Sequence, residues 1–222
     1  MDIERLKEEQ LEAASKVITD DLAGEPKTIG GCDCAYSDKA VIAAVVVCDA
    51  NMNPLEKQTA VVESAFPYML GMLYYREGEA IKAAFAKLGK RPDVLLVDGN
   101  GVLHPLRCGM ASQLGVELGQ ATIGVAKTRM LGDEDEAGNI TVGKELLGME
   151  LRTKEVSKPL YISVGHKVSL ENAVAIVQKS IRHPHKLPEP LHLAHRMADK
   201  KRQAMEREAK SNCYSKGQKY QE

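Results

Sequence analysis

Thr28-Ile-Gly-Gly-Cys-Asp33-Cys-Ala-Tyr36, followed after Ser37-Asp38-Lys39 by Ala40-Val-Ile-Ala-Ala-Val-Val-Val-Cys48-Asp49, decides the fold. Both stretches are rich in small and β-branched residues, which suit a pleated, buried surface. A third such stretch, Leu55–Ala65, follows the turn Asn51-Met52-Asn53-Pro54. Connections this short join antiparallel neighbours, because a parallel crossover needs a dozen residues or more. The three strands therefore read as an antiparallel meander.

Working outward, residues 2–21 carry Ile3, Leu6, Leu11, Ala14, Val17 and Ile18 at helical spacing, and Gly24 and Pro26 break the pattern. Downstream of the meander, helices are expected over Leu73–Leu88 and Gly109–Leu118. They alternate with short strands at Asp93–Val97 and Thr122–Val125. Leu147–Lys154 and Pro159–Val164 read as two more strands, and Ser169–Ser180 and Leu191–Glu208 as two more helices. Strands followed by alternating helices and strands imply an α/β fold, a mixed sheet with helices on both faces. The expected organisation is one domain over residues 1–210, with 211–222, rich in Lys, Gln and Ser, as a flexible tail.

The 222 residues suffice to bury a core without disulfide or metal staples, and with no Trp and two Phe that core must be aliphatic. The longest apolar run, Ala40–Cys48, is too short to cross a bilayer. Met-Asp-Ile-Glu-Arg at the start has no signal-peptide core, and five cysteines without framework spacing suit a reducing compartment. The expectation is a cytoplasmic monomer with no membrane partner. A net charge of -1 supplies no global basic field, so any nucleic acid must be met by a local basic face.

Two aspartates stand inside apolar strands. Alternation puts Cys32 and Cys34 on one face of the first strand and Asp33 on the other. Asp98 ends Val94-Leu-Leu-Val-Asp98 and is followed by Gly99-Asn100-Gly101. An ionised carboxylate in such surroundings is costly unless it is paired or binds a metal. If the first and fourth strands are neighbours, Asp33 and Asp98 converge, and oxygen ligation by one or two carboxylates is how Mg²⁺ is usually held. Asp98 by itself reads more readily as the opening of an Asp-Gly turn; Asp33 has no turn to explain it. Cys32 and Cys34 read as small buried hydrophobes, since no second Cys or His cluster completes a zinc site. Asp133-Glu-Asp-Glu-Ala-Gly138 lacks the ligands of a calcium loop and reads as a solvated acidic loop. His183 and His185 read as loop residues.

Gly31-Cys-Asp33-Cys-Ala-Tyr36 resembles the first motif of the endonuclease V family. Phe66-Pro-Tyr68-Met-Leu70, Tyr75-Arg-Glu77-Gly78, Asp98-Gly-Asn-Gly101 with His104-Pro105, Thr122-Ile-Gly-Val-Ala-Lys127 and Pro188-Glu-Pro-Leu-His-Leu-Ala-His195 resemble the later motifs in the family's order. The resemblance implies a ribonuclease H-like fold and a Mg²⁺-dependent DNA repair endonuclease, with Mn²⁺ able to substitute. Its substrate would be double- or single-stranded DNA containing deaminated bases. The enzyme would hydrolyse the second phosphodiester bond 3′ to deoxyinosine and leave a nick with the lesion in place.

Carried over residue by residue, the resemblance makes Asp33 and Asp98 the metal ligands and Glu77 a third acidic member. His195 completes the catalytic set near the scissile phosphate, and Lys127 contacts the phosphates. Without their motifs, Glu77 would read as an exposed helical Glu, His195 as a helix-face His beside His192, and Lys127 as a strand-end Lys. Tyr68 is implied as the wedge that fills the stack when a base is flipped out, with Pro67 stiffening its approach; its other reading is a core Tyr leading into a helix. Gly99, Gly109 and Met110 resemble positions whose backbone lines the family's base pocket, and His104 is implied to lie by the substrate; the glycines read almost as readily as turn and helix-start residues. Leu70 stands where the family's Pro-Tyr-Ile-Pro has its second proline, and Gln113 where the family often has His. Two rival readings stay open: cleavage of inosine-containing RNA, and a non-catalytic binder of inosine nucleic acid.

Overall fold

The meander forms as its short turns imply. After helix α1 (Ile3–Ser15), strands β1 (Thr28–Tyr36), β2 (Ala40–Asp49) and β3 (Pro54–Glu63) pair antiparallel, from Thr28 opposite Asp49 to Tyr36 opposite Val41. The computed structural model describes residues 2–20, 24–38, 40–64, 66–154 and 156–217; the expected end of the third strand, Ala65, lies outside them. Helix α2 (Leu73–Phe85) leads to β4 (Val94–Val97), and helix α3 (Met110–Leu118) leads to β5 (Thr122–Ala126). β4 pairs parallel with β1, and β5 parallel with β4. Strands β6 (Asp133–Glu134), β7 (Asn139–Val142), β8 (Glu145–Leu151) and β9 (Leu160–His166) complete a sheet of order β3-β2-β1-β4-β5-β9-β8-β7-β6. Helices α4 (Leu170–Lys179) and α5 (Glu189–Gly217) follow.

β2 is an unbroken apolar run because it is covered on both faces. On one side, Ile81, Ala84 and Phe85 of α2 and Leu114 of α3 pack on Cys32, Val41, Val45, Leu95 and Val97. On the other, Ala194 and Ala198 of α5 pack on Ala44, Val46 and Cys48, while Ile176 and Val177 of α4 and Leu191 of α5 join Leu96, Ile123 and Ile162. Each fully buried aliphatic side chain contributes about 1.5–3 kcal/mol. The fold is the mixed α/β sheet with helices on both faces that the sequence implies. Among the described residues, no helix is long and apolar enough to cross a membrane.

Besides shifts of up to three residues at the ends of α2 and β8, three local expectations differ from the structure. The first helix stops at Ser15 although its apolar spacing continues, because Ile18 is drawn into tertiary hydrogen bonds: its N–H donates to His166 Nδ1 (3.2 Å) and its carbonyl accepts from Lys167 (2.7 Å). The acidic stretch from Asp133 is not only loop. It forms the β6–β7 hairpin, whose turn is tied by the Asp135 carboxylate accepting from Ala137 and Asn139 N–H groups; acidic residues have low strand propensity and hide such a strand. Finally, α5 runs past the expected Glu208 to Gly217, so the first part of the expected tail is helical, and 218–222 lie outside the described residues.

Candidate active site

The parallel strands β1, β4 and β5 end at one edge of the sheet, the side on which open α/β sheets bind ligands. Cys32 pairs with Val97, and the Asp98 N–H donates to the Cys32 carbonyl (3.3 Å), so Asp33 and Asp98 stand level on neighbouring strands. Lys127 follows β5 directly, and its ammonium makes an ion pair with Asp98 Oδ2. From the opposite face of the sheet to α2, α5 brings His195, whose Nδ1 lies 2.7 Å from Asp33 Oδ2. This close packing of α5 depends on Gly31, where a Cβ would stand 2.4 Å from the Pro190 carbonyl carbon.

Glu77 arrives from α2 and is 5% exposed, so it is not the exposed helical Glu that it would be without its motif. It accepts a hydrogen bond from the Tyr36 hydroxyl, and the Arg76 guanidinium lies 4.2 Å over the Tyr36 ring. Burial, then the Asp33 and Asp98 charges, push the Glu77 carboxyl up to about 8. Burial, then Asp98, likewise push Asp33 up to about 6, against the opposing pull of Lys127, the Cys34 N–H and His195. Burial pulls the Lys127 ammonium down, but Asp98, Asp33 and Glu77 together hold it above its ordinary value.

Crowded, desolvated carboxylates whose charges repel are a donor set that a hard divalent cation would relieve. The Asp33 and Asp98 donors are oxygen; Cys32 is buried on the other face of β1, and the Cys34 thiol on that face hydrogen-bonds Glu77. Among the described residues, no three His, Cys, Asp or Glu side chains form a ready-made cage. The set therefore fits a cation held by Asp33 and Asp98 and completed by water and phosphate, the usual Mg²⁺ arrangement.

Beside these groups opens a pocket of about 360 Å³, whose walls include Tyr68, Gly99, His104, Gly109, Met110 and Lys127. Pro67 is not among its lining residues. Tyr68 is 68% exposed and Leu70 77% exposed at its rim, so Tyr68 is not a core residue. His104 is buried with both ring nitrogens engaged. Nε2 lies 3.1 Å from the Gly71 carbonyl, and Nδ1 accepts from the Leu106 N–H (3.2 Å). It shapes a wall and has no free polar atom to offer a ligand. A larger cavity, about 800 Å³, lies away from these groups and is lined by Pro26, Met52, Ala175 and Ile176 among others.

Sequence reasoning missed Tyr36 as a partner of Glu77 and Arg129 as a pocket wall. It also missed Lys186. Burial, then the Lys127 and Lys158 ammoniums, push this lysine below its ordinary value, and the Thr153 hydroxyl donates to its carbonyl (2.9 Å). Tyr36 was already visible in the β1 motif, two residues past Cys34 on the same face. Lys158 and Lys186 sit on separate loops, and nothing local in the sequence joins them to Lys127.

The family model described as Endonuclease V matches residues 11–196. The chain is 38% identical to an endonuclease V of Geotalea uraniireducens over 97% of its length and 95% of the relative's. The crystal structure of endonuclease V from Streptomyces avermitilis superposes with a TM-score of 0.83 at 34% identity, covering 93% of this chain and 94% of that one. Ciona intestinalis endonuclease V, solved in complex with a 24mer DNA containing an inosine followed by a ribo-adenosine, superposes with a TM-score of 0.81 at 29% identity, covering 91% and 98%. With the motif residues gathered at one strand edge and the match spanning nearly the whole chain, this protein belongs to the endonuclease V family.

Proposed function

We propose that the chain is a Mg²⁺-dependent endonuclease that hydrolyses the second phosphodiester bond 3′ to deoxyinosine and leaves the lesion in the nicked strand. The observation that carries the reading is the level placement of Asp33 and Asp98 beside a glycine-walled pocket. The inosine in the DNA bound to the Ciona relative supports the choice of substrate.

Asp33 and Asp98 would hold the cation, Mn²⁺ being able to substitute. When bound, it supplies charge neutralisation at the phosphate and eases the ionisation of water. Lys127 keeps its ammonium at Asp98, within reach of phosphate oxygens gathered at the same place. His195 donates its Nδ1 proton to Asp33, which leaves the lone pair on Nε2 free to take up or return a proton. Glu77, shared with the Tyr36 hydroxyl, adds negative charge behind the pair once it ionises. The backbone at Gly99 and Gly109 allows close approach of a flipped base, and exposed Tyr68 fills the gap left in the stack.

A ribonucleotide follows the inosine in the Ciona complex, which favours RNA-containing strands as a second reading. The test incubates the protein and its Asp33→Ala variant with labelled single-inosine DNA and RNA of matched sequence, with and without Mg²⁺. The expected result is a Mg²⁺-dependent nick by the native protein alone, its product length reporting the bond cut. Binding without nicking, or equal nicking by the variant, overturns the enzyme reading. Preference for the RNA strand selects the second reading.

A further inference from the structure

The pocket beside Asp98 has two walls that belong to different segments. One is the turn from Tyr68 to Gly71 and the other the loop from Gly99 to Gly109, which runs into α3 at Met110; residues 126–130, at the end of β5, close a third side. The first two segments lie outside the strands, so hydrogen bonding within the sheet does not set the gap between them. A residue far from both in sequence, and outside all of the motifs, bridges them.

Gln10, on α1, is 1% exposed and is the polar member of the most deeply buried large side chains. Its Nε2 donates to the Gly71 carbonyl (3.0 Å) and to the Cys108 carbonyl (3.0 Å). Gly71 lies in the first wall, and Cys108 directly precedes Gly109 and Met110 of the second. His104, from the second wall, also reaches the Gly71 carbonyl (3.1 Å). Gly71 holds φ +82°, the left-handed region, and a Cβ there would come within 3.1 Å of His104 Nε2. Two side chains thus converge on one carbonyl oxygen, and one of them spans the pocket's supports.

Gln10 Oε1 has no hydrogen-bond partner among the described residues. A buried amide that served packing alone would be replaceable by an apolar side chain without leaving an acceptor unsatisfied. What this amide accomplishes is the joining of two backbone carbonyls that would otherwise repel each other across the seam. The α1 helix is itself anchored nearby, as the Tyr75 hydroxyl donates to the Leu6 carbonyl (2.6 Å).

We propose that Gln10 is a positioning residue that sets the width of the base pocket, and with it the selectivity for the lesion base, through the shared Gly71 carbonyl. This rests on the reading of the pocket as the base site. Gln10 touches no substrate; it acts through the two walls.

The test uses the full chain and two independent changes. Gln10→Met keeps the length of the side chain and removes both donated bonds. Gly71→Ala leaves α1 intact and displaces the same carbonyl from the other side. Binding is measured, with Mg²⁺ replaced by Ca²⁺ to suppress cleavage, to three duplexes: one with deoxyinosine, one with a tetrahydrofuran abasic site, and one undamaged. Both variants should lose about five- to tenfold of the preference for deoxyinosine over the abasic site, the scale of one hydrogen bond. Their affinity for undamaged duplex should stay within about twofold. A purely structural role would lower binding to all three duplexes together, and that outcome overturns the proposal, as does a preference retained in both variants. Native protein with no preference for deoxyinosine overturns the base-site reading and this inference with it. Retention in the variants of a preference that the native protein has overturns this inference only.

Discussion

His195 Nδ1 lies 2.7 Å from Asp33 Oδ2, a contact between residues 162 positions apart. Asp33 is nearly buried while His195 is half exposed, so the pair joins the interior of the sheet to the solvent edge where a phosphate would arrive. The bond fixes which imidazole nitrogen is free, and several outcomes depend on it.

Replacing His195 with Ala tests its proposed role in moving a proton at this edge. Single-turnover nicking of deoxyinosine duplex should fall about 10²- to 10⁴-fold. Affinity for the same duplex, measured by fluorescence anisotropy, should change little. Equal losses in binding and cleavage would show that His195 holds substrate instead.

Gly31→Ala should act at a distance. The added Cβ meets the Pro190 backbone at 2.4 Å, and backbone cannot swing aside as a side chain can. Overpacking of this kind costs about 1–3 kcal/mol. Because the start of α5 is displaced, His195 should lose its contact with Asp33, and activity should fall more than thermal stability accounts for. Melting curves and rates measured on the same preparation separate the two effects.

In the metal-free protein, Asp33 and Glu77 should contribute stability that is lost as pH rises. Asp33 is raised from 3.8 to about 6, and Glu77 from 4.5 to about 8, both chiefly by burial. A group whose folded pKa is raised binds more protons when folded. Its contribution is complete below the unfolded pKa and is lost as pH climbs through the folded one. The decline should therefore begin above about 4 and end above about 8, and Glu77→Gln should flatten its upper part. Added Mg²⁺ should oppose the decline most at the alkaline end, where both carboxylates are charged. Thermal melts of the native protein and Glu77→Gln from pH 4 to 9, with and without Mg²⁺, test this; a difference between the two metal-free curves that does not change with pH would refute it.

Tyr68→Ala should leave stability within about 0.5 kcal/mol, since the side chain is largely exposed. Preference for deoxyinosine over undamaged duplex should fall about tenfold, the scale of lost base stacking, while metal affinity stays constant. Unchanged selectivity would remove Tyr68 from the wedge role. Leu70, still more exposed at the same rim, is the natural second substitution.

Much of the fold could be read from the chain because its signals are local. The turns after Tyr36 and Asp49 allow only antiparallel pairing, and β1 and β2 begin and end where the composition changes. Asp33 stood out because strand alternation gives an acidic residue in an apolar run a definite face. Other features had no local signal. The apolar spacing through Ile18 is helical, yet hydrogen bonds to His166 and Lys167 take that residue out of the helix. Asp133 and Glu134 are poor strand residues, yet pairing with β7 makes them one.

The sequence by itself determined the elements, the two carboxylates embedded in strands and the order of the motifs, because propensity and periodicity act over a few residues. Only the tertiary structure decided that β4 lies parallel to β1 with Asp98 level with Asp33, that His104 spends both nitrogens on backbone, and that Gln10 spans two pocket walls. Those facts depend on register and on close packing between segments distant in the chain. The raised carboxyl pKa values likewise come from burial and from neighbouring charges that only the folded chain brings together.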